Sequence, residues 1–344
     1  MANAASSVLV AGQTKFNQRM LGAEWKLPES AAIIAANKGE MANPAFRQIR
    51  TSAGRTITAK FPIRQAAGGA VVRAALHTGT NPDTDTETIT WSKFVEDFSI
   101  PLTLGDNNVF EWTELYAAAR RNAIFNLISR VDASFVASLL ADESTASAGG
   151  ANGTFNATTD EYEIPAGNSE NFFSEVKAMH NKNLYKGQLI ALADSKAAVL
   201  EDRLGRDGMG NAVNKAPQLQ GYAAIIQTSR ALSASSSDGS TISYENGLVG
   251  VNFWIPQKNR KTLNAERAMR DSVGDFGQFT VPDFPGIVFA DSIYASRSDQ
   301  SAVGGDEQDL QINEEISLEM AYVSAPVSSF HTETSPVFTS ILLT

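Results

Sequence analysis

Between Gly105 and Gly149 the chain contains neither glycine nor proline. So long a stretch without a breaker predicts a single long helix. Asp106, Asn107 and Asn108 supply N-cap side chains at its start. Val109, Trp112 and Tyr116, then Ile124, Leu127, Ile128, Val131, Phe135 and Leu139, recur every three or four residues, with Arg120 breaking the stripe. At 1.5 Å per residue, a helix from about 107 to 141 extends roughly 50 Å, more than a small globular domain needs.

What precedes this rod is of a different kind. Residues 1–50 mix short apolar runs with polar breaks, show no sustained period and read as an extended arm. From Arg55 to Leu104 the segments RTITAKFPIR, GAVVRAAL and TITWSKFVEDFSIPLTL are rich in Thr, Val, Ile and aromatics, the composition of strands. The polar segment HTGTNPDTDTE lies among them as a turn. Two long strands joined by such a tip form a projecting hairpin, and its weak alternation predicts no buried face of its own.

After the helix, STASAGGANGTFNATTDEYEIPAGNSE is loop-rich, with one short strand expected around Glu161–Ile164. From residue 171 the elements alternate: helix NFFSEVKAMHNKNL, strand GQLIALAD, helix SKAAVLEDRL capped by Asp194-Ser195, Gly-rich GRDGMGNAV and strand GYAAIIQTS. This predicts an α/β lobe. LVGVNFWIP, FGQFTVPDF, GIVFADSIYA, ISLEMAYVSAPV and PVFTSILL then read as further strands.

Charge is unevenly spread along the 344 residues. The formal net charge is −10, yet the first 75 residues carry ten Lys or Arg against three Glu, a balance of +7. After position 280 the only basic residue is Arg297, among ten Asp and Glu. A chain with opposite ends suits association between copies, a basic arm lying on an acidic neighbour. Hydrophobic residues at 43% with 19% charged place the chain among globular proteins. No run approaches the roughly 18 consecutive apolar residues of a membrane span, so no membrane partner is expected. With no cysteine, disulfides and thiolate chemistry are excluded.

Chemistry has little to stand on. His77, His180 and His331 sit apart, none at metal-ligand spacing, and no GxSxG, HExxH or P-loop occurs. GRDGMG follows a helix instead of joining a strand to a helix N-terminus, so its amides are not aimed at an anion. Asp83, Asp85 and Glu87 begin like a calcium loop, but Thr88 stands where Gly is required and Phe94 where Glu is. No catalytic residue, cofactor or metal is expected, and the chain reads as no enzyme. Arg120, Arg121 and Arg130 on the long helix are candidates for non-specific phosphate contacts.

This order of elements, with the run from NFFSEVKAMHNKNL through GRDGMGNAV to LQGYAAIIQTSRALS, resembles the major capsid proteins of tailed double-stranded DNA bacteriophages, of the Hong Kong ninety-seven type. The resemblance implies an α+β capsid fold: an N-terminal arm over 1–50, an E-loop hairpin over 51–104, a peripheral domain with the spine helix over 105–190, an axial domain over 191–310, and C-terminal strands over 311–344 returning to the peripheral domain. It further implies self-assembly into an icosahedral shell of hexamers and pentamers, in a virion capsid assembled in the host cytoplasm. Packaged double-stranded DNA would be contacted non-specifically, and scaffold, portal and decoration proteins are partners of the same class. Arg55, Lys60, Arg64, Arg73, Asp83 and Asp85 on the hairpin become the intersubunit contact candidates. An encapsulin-like compartment shell is the near alternative, and a β-rich hydrolase the far one.

Overall fold

In a computed structural model, the residues described are 9–17, 30–38, 41, 43, 45, 48–49, 56–63, 83–102, 109–200, 221–233, 235, 237–256, 259, 275–297, 310–327 and 334–344. They contain both helix and sheet, as the sequence predicts. The chain divides into two compact units. One comprises residues 1–33, 92–132 and 253–320, and the other residues 34–91, 133–252 and 321–344. The longest elements contribute residues to both units.

The spine helix forms as read: α3 spans Val109–Ala141, after the short helices α1 (residues 9–17) and α2 (Ala31–Lys38). Its 33 residues correspond to roughly 50 Å. By length and composition alone Glu111–Ala141 would also suffice to cross a bilayer, yet Trp112, Tyr116, Ile124, Leu127, Ile128, Val131, Phe135 and Leu139 are buried against protein. Arg120 does not break this stripe. It belongs to it, at 4% exposure.

In the first unit, the C-terminal half of β2 (Thr84–Pro101) lies in a sheet with β9 (Asp275–Thr280), β10 (Val288–Arg297) and β11 (Leu310–Ser324), in the order β2-β11-β10-β9. β10 pairs antiparallel with both neighbours. The first part of α3 packs here through a cluster of Trp112, Tyr116, Ile100 and Ile312. Trp112 donates its indole N–H to the Pro101 carbonyl, 3.0 Å away, and stacks on Tyr116 at 5.3 Å between ring centres. Gly12 of α1 meets the same pair. A Cβ there would stand 2.7 Å from Tyr116 Cδ1, so only glycine allows the approach.

In the second unit, β1 (Thr56–Pro62) pairs antiparallel with the start of β2, from Thr56 opposite Thr90 to Pro62 opposite Thr84. Two expectations change here. The strand extends into the segment read as a polar tip, since Thr84, Thr86, Thr88 and Thr90 are β-branched and suit a pleated surface. The hairpin also has a buried face, because Ala59, Phe61, Ile89 and Trp91 occupy alternate positions and are each no more than 4% exposed.

The same unit holds a six-stranded sheet in the order β3-β4-β12-β7-β5-β6. Its strands are β3 (Thr154–Asn156), β4 (Glu161–Ile164), β5 (Leu189–Ala193), β6 (Tyr222–Gln227), β7 (Gly239–Glu245) and β12 (Val337–Leu342). β8 (Val249–Trp254) follows β7 after a turn at Gly247, where φ is +90°. One face of the sheet is covered by α4 (Phe172–Lys182), through a core of Tyr162, Ile164, Phe172, Phe173, Val176, Met179 and Phe338. Asp194 caps the next helix by accepting from the Ala197 N–H at 2.7 Å, as its position predicts.

Candidate functional site

The contact candidates fall on the hairpin of the second unit. Lys60 is exposed on β1 opposite Thr86, and its carbonyl accepts from the Asn43 side chain at 3.1 Å. Asp83 and Asp85 turn back on their own chain, each accepting the next residue's N–H at 2.8 Å. Arg55, Arg64 and Arg73 lie outside the described residues. Thr56, Thr58, Lys60 and Pro62 stand opposite Thr90, Thr88, Thr86 and Thr84 and share one exposed face of the pair. That face is polar, β-branched and carries one cation. It suits hydrogen bonding and charge pairing, not a hydrophobic dock.

The helix arginines have other uses. Arg120 Nε lies 3.2 Å from a Glu314 oxygen and its Nη2 lies 3.2 Å from Asp291, while its guanidinium stands 4.3 Å from the Phe279 ring centre and 5.1 Å from Phe16. Tyr116 donates its hydroxyl to Glu314 in a short hydrogen bond. Burial alone would lower the Arg120 pKa, but Glu314, Tyr116 and Asp291 outweigh it and hold the guanidinium charged. Burial raises Glu314, opposed by Arg120 and by the Tyr116 hydroxyl. This is a buried ionic cluster that orients α3, α1, β10 and β11 within the first unit. Arg121 is 3% exposed and lies 4.4 Å from the Phe125 ring centre. Both arginines are thus buried in the chain by itself; an apolar face absorbs an arginine when a carboxylate or an aromatic ring stands beside it. Arg130 remains at the surface, bonded to Glu96 at 2.5 Å and to the Val95 carbonyl at 2.9 Å.

His180 is fully buried on α4. Its Nε2 is 2.8 Å from the Ser243 hydroxyl, and Phe338 and Tyr185 stand edge-on at 4.9 and 6.2 Å. Burial drives its pKa down to about 3. A His–Ser pair with both partners at 0% exposure has no access for a substrate, so this contact is structural. His77 and His331 lie outside the described residues. Among the described residues no group of three or more His, Cys, Asp or Glu could hold a metal.

Sequence reasoning missed the acidic cluster beside β12 in the second unit. Glu161 is 3% exposed and takes hydroxyl donations from Ser233 and, at 2.5 Å, from Ser235. Glu143 is bridged to Val337 just beyond α3. The serine run ALSASSSDGS was the only signal, and it resembles any polar loop.

Against solved structures, the chain aligns with one from Mycobacterium phage Cain over 94% of this chain and 93% of the other, at a TM-score of 0.50 and 10% identity. The two chains share a fold. A structure from Mycobacterium phage Che8 is similar at TM-score 0.48 and 12% identity, covering 93% and 92% of the two chains. The capsid structure of the cyanophage P-SCSP1u is similar at TM-score 0.42 and 11% identity, covering 94% and 90%. No family model and no curated protein sequence matches the chain.

Proposed function

We propose that this chain is a structural major capsid protein that assembles into an icosahedral shell of hexamers and pentamers around double-stranded DNA. The observation that carries the reading is the fold shared with the mycobacteriophage structure over nearly the full length of both chains. The hairpin's exposed threonine face, with Lys60 on it, supports an intersubunit role for that element. Arg55, Arg64, Arg73, Asp83 and Asp85 extend the same role along the hairpin. Exposed charge pairs contribute only about 0 to 1 kcal/mol each and are screened by salt, but many copies around a shell act together.

Within this reading, packaged DNA is met non-specifically, with Arg130 the exposed one of the three helix candidates Arg120, Arg121 and Arg130, and scaffold, portal and decoration proteins complete the particle. Assembly takes place in the host cytoplasm. The role is structural and needs no general base or metal.

Electron microscopy of the purified chain, produced alone and with its neighbouring virion genes, tests the proposal. Closed shells are expected, and DNA within particles separates a virion capsid from a cargo compartment. A chain that stays monomeric under both conditions refutes it.

A further inference from the structure

In the second unit, the side of β12 that faces β4 gathers carboxylates. β12 pairs in parallel with β4, so Thr339 stands beside Glu161, and the isolated parallel bridge places Glu143 beside Val337 on the same edge. Paired residues share a sheet face, and alternate residues along a strand do too. Glu143, Val337, Thr339 and Glu161 therefore project to one side, with the two glutamates about two residues, or roughly 6.6 Å, apart along the strand.

Acids surround this position. Asp160 immediately precedes β4 and Glu163 follows Glu161 on its face, where the Asn156 side chain donates to it at 2.7 Å. Asp142, adjacent to Glu143, accepts from Ser324 at 2.6 Å and faces Tyr322 and Glu87. From β7, Tyr244 and Ile242 oppose Val337 and Thr339. Glu161 is held by hydroxyls, from Ser233 and Ser235. Glu143 also sits at the C-terminal end of α3, where the helix dipole disfavours an anion.

We propose that Glu143, beside Glu161, is a pH-responsive catch on β12: with Glu143 protonated the end of α3 closes on the strand next to β4, and with Glu143 ionised its charge pushes that contact open. The inference concerns the isolated subunit and stands apart from the capsid reading. Its chemistry agrees with the environment. Burial is the main influence on Glu143, the Thr339 hydroxyl and N–H oppose it, Glu161 and Asp160 reinforce it, and the pKa is raised to about 7. A carboxyl raised in the folded state adds stability that is fully present below about pH 4.5 and is lost as pH rises through 7.

The test is the unfolding equilibrium of the full chain against pH for wild type and Glu143→Gln, with sedimentation confirming one assembly state throughout. Both proteins carry His180, so its opposite acid effect cancels in their ratio. The unfolding constant of wild type relative to Glu143→Gln should rise on the order of tens-fold from pH 4.5 to pH 8, after allowance for solvent screening. A constant ratio overturns the proposal. Should Glu143→Gln fail to fold, hydrogen exchange in wild type decides. Protection of the Ser144 N–H, bonded to the Val337 carbonyl at 2.8 Å, should fall between pH 5 and pH 8 once corrected for intrinsic rates. Unchanged protection overturns it equally.

Discussion

His180 should give the subunit an acid limit that one substitution removes. In the unfolded chain its imidazole titrates at 6.5, whereas in the fully buried site the value is about 3. The folded state therefore refuses a proton that the unfolded state accepts. Stability from this group is present above pH 6.5 and is lost as pH falls toward 3. At about 1.4 kcal/mol per pH unit the whole loss is about 5 kcal/mol, a large part of the total for a domain. His180→Phe keeps a ring against Phe338 and Tyr185 but removes the titration. It also leaves the buried Ser243 hydroxyl without its partner at 2.8 Å, at a cost of about 1 to 3 kcal/mol near neutral pH. The two stability curves, measured by urea unfolding from pH 3.5 to pH 7.5, should cross near pH 5, the variant being weaker above and stronger below. Curves that stay parallel throughout would refute the reasoning.

Two other substitutions probe different links. Arg120→Met leaves Glu314 and Asp291 buried without their cation and should lower stability by about 3 to 5 kcal/mol in urea unfolding at pH 7; a loss below about 1 kcal/mol would mean that the cluster does not hold the first unit together. Replacing residues 65–82 by a short Gly-Ser turn keeps every β1–β2 pair. Circular dichroism should therefore report a folded subunit while sedimentation reports no shells, and shells of normal size and salt resistance would remove the hairpin from the assembly contacts.

What the sequence made legible followed periodicity and breakers. α3 came from a breaker-free run with an apolar stripe, α4 from the helix NFFSEVKAMHNKNL in an alternation of helices and strands, and β4 from Glu161–Ile164 lying between loop signals. β7 escaped notice because Gly239–Glu245 is GSTISYE, polar by composition. It is nonetheless buried, since β12 and β5 flank it and bond its backbone on both edges. Arg120 looked like an interruption because one-dimensional patterning cannot see Asp291 and Glu314, which lie far along the chain. The buried face of the hairpin was missed for a related reason: Ile57, Ala59 and Phe61 alternate over too few residues to stand out among threonines. The histidine contact could not be foreseen at all, as Ser243 is ordinary until the sheet places it against α4.

The position of β12 bears on how the chain folds. This strand lies between β4 and β7, although it is synthesised long after both. Until residues 337–342 emerge, β4 and β7 have no common neighbour, and the backbone groups that face the gap stay in water. A nascent subunit can form α3 and α4 early, through local contacts, but must wait for its most distant pairing to close the sheet. Such non-local closure is slow. It also leaves the β4 and β7 sides of the gap unjoined until residues 337–342 have been made.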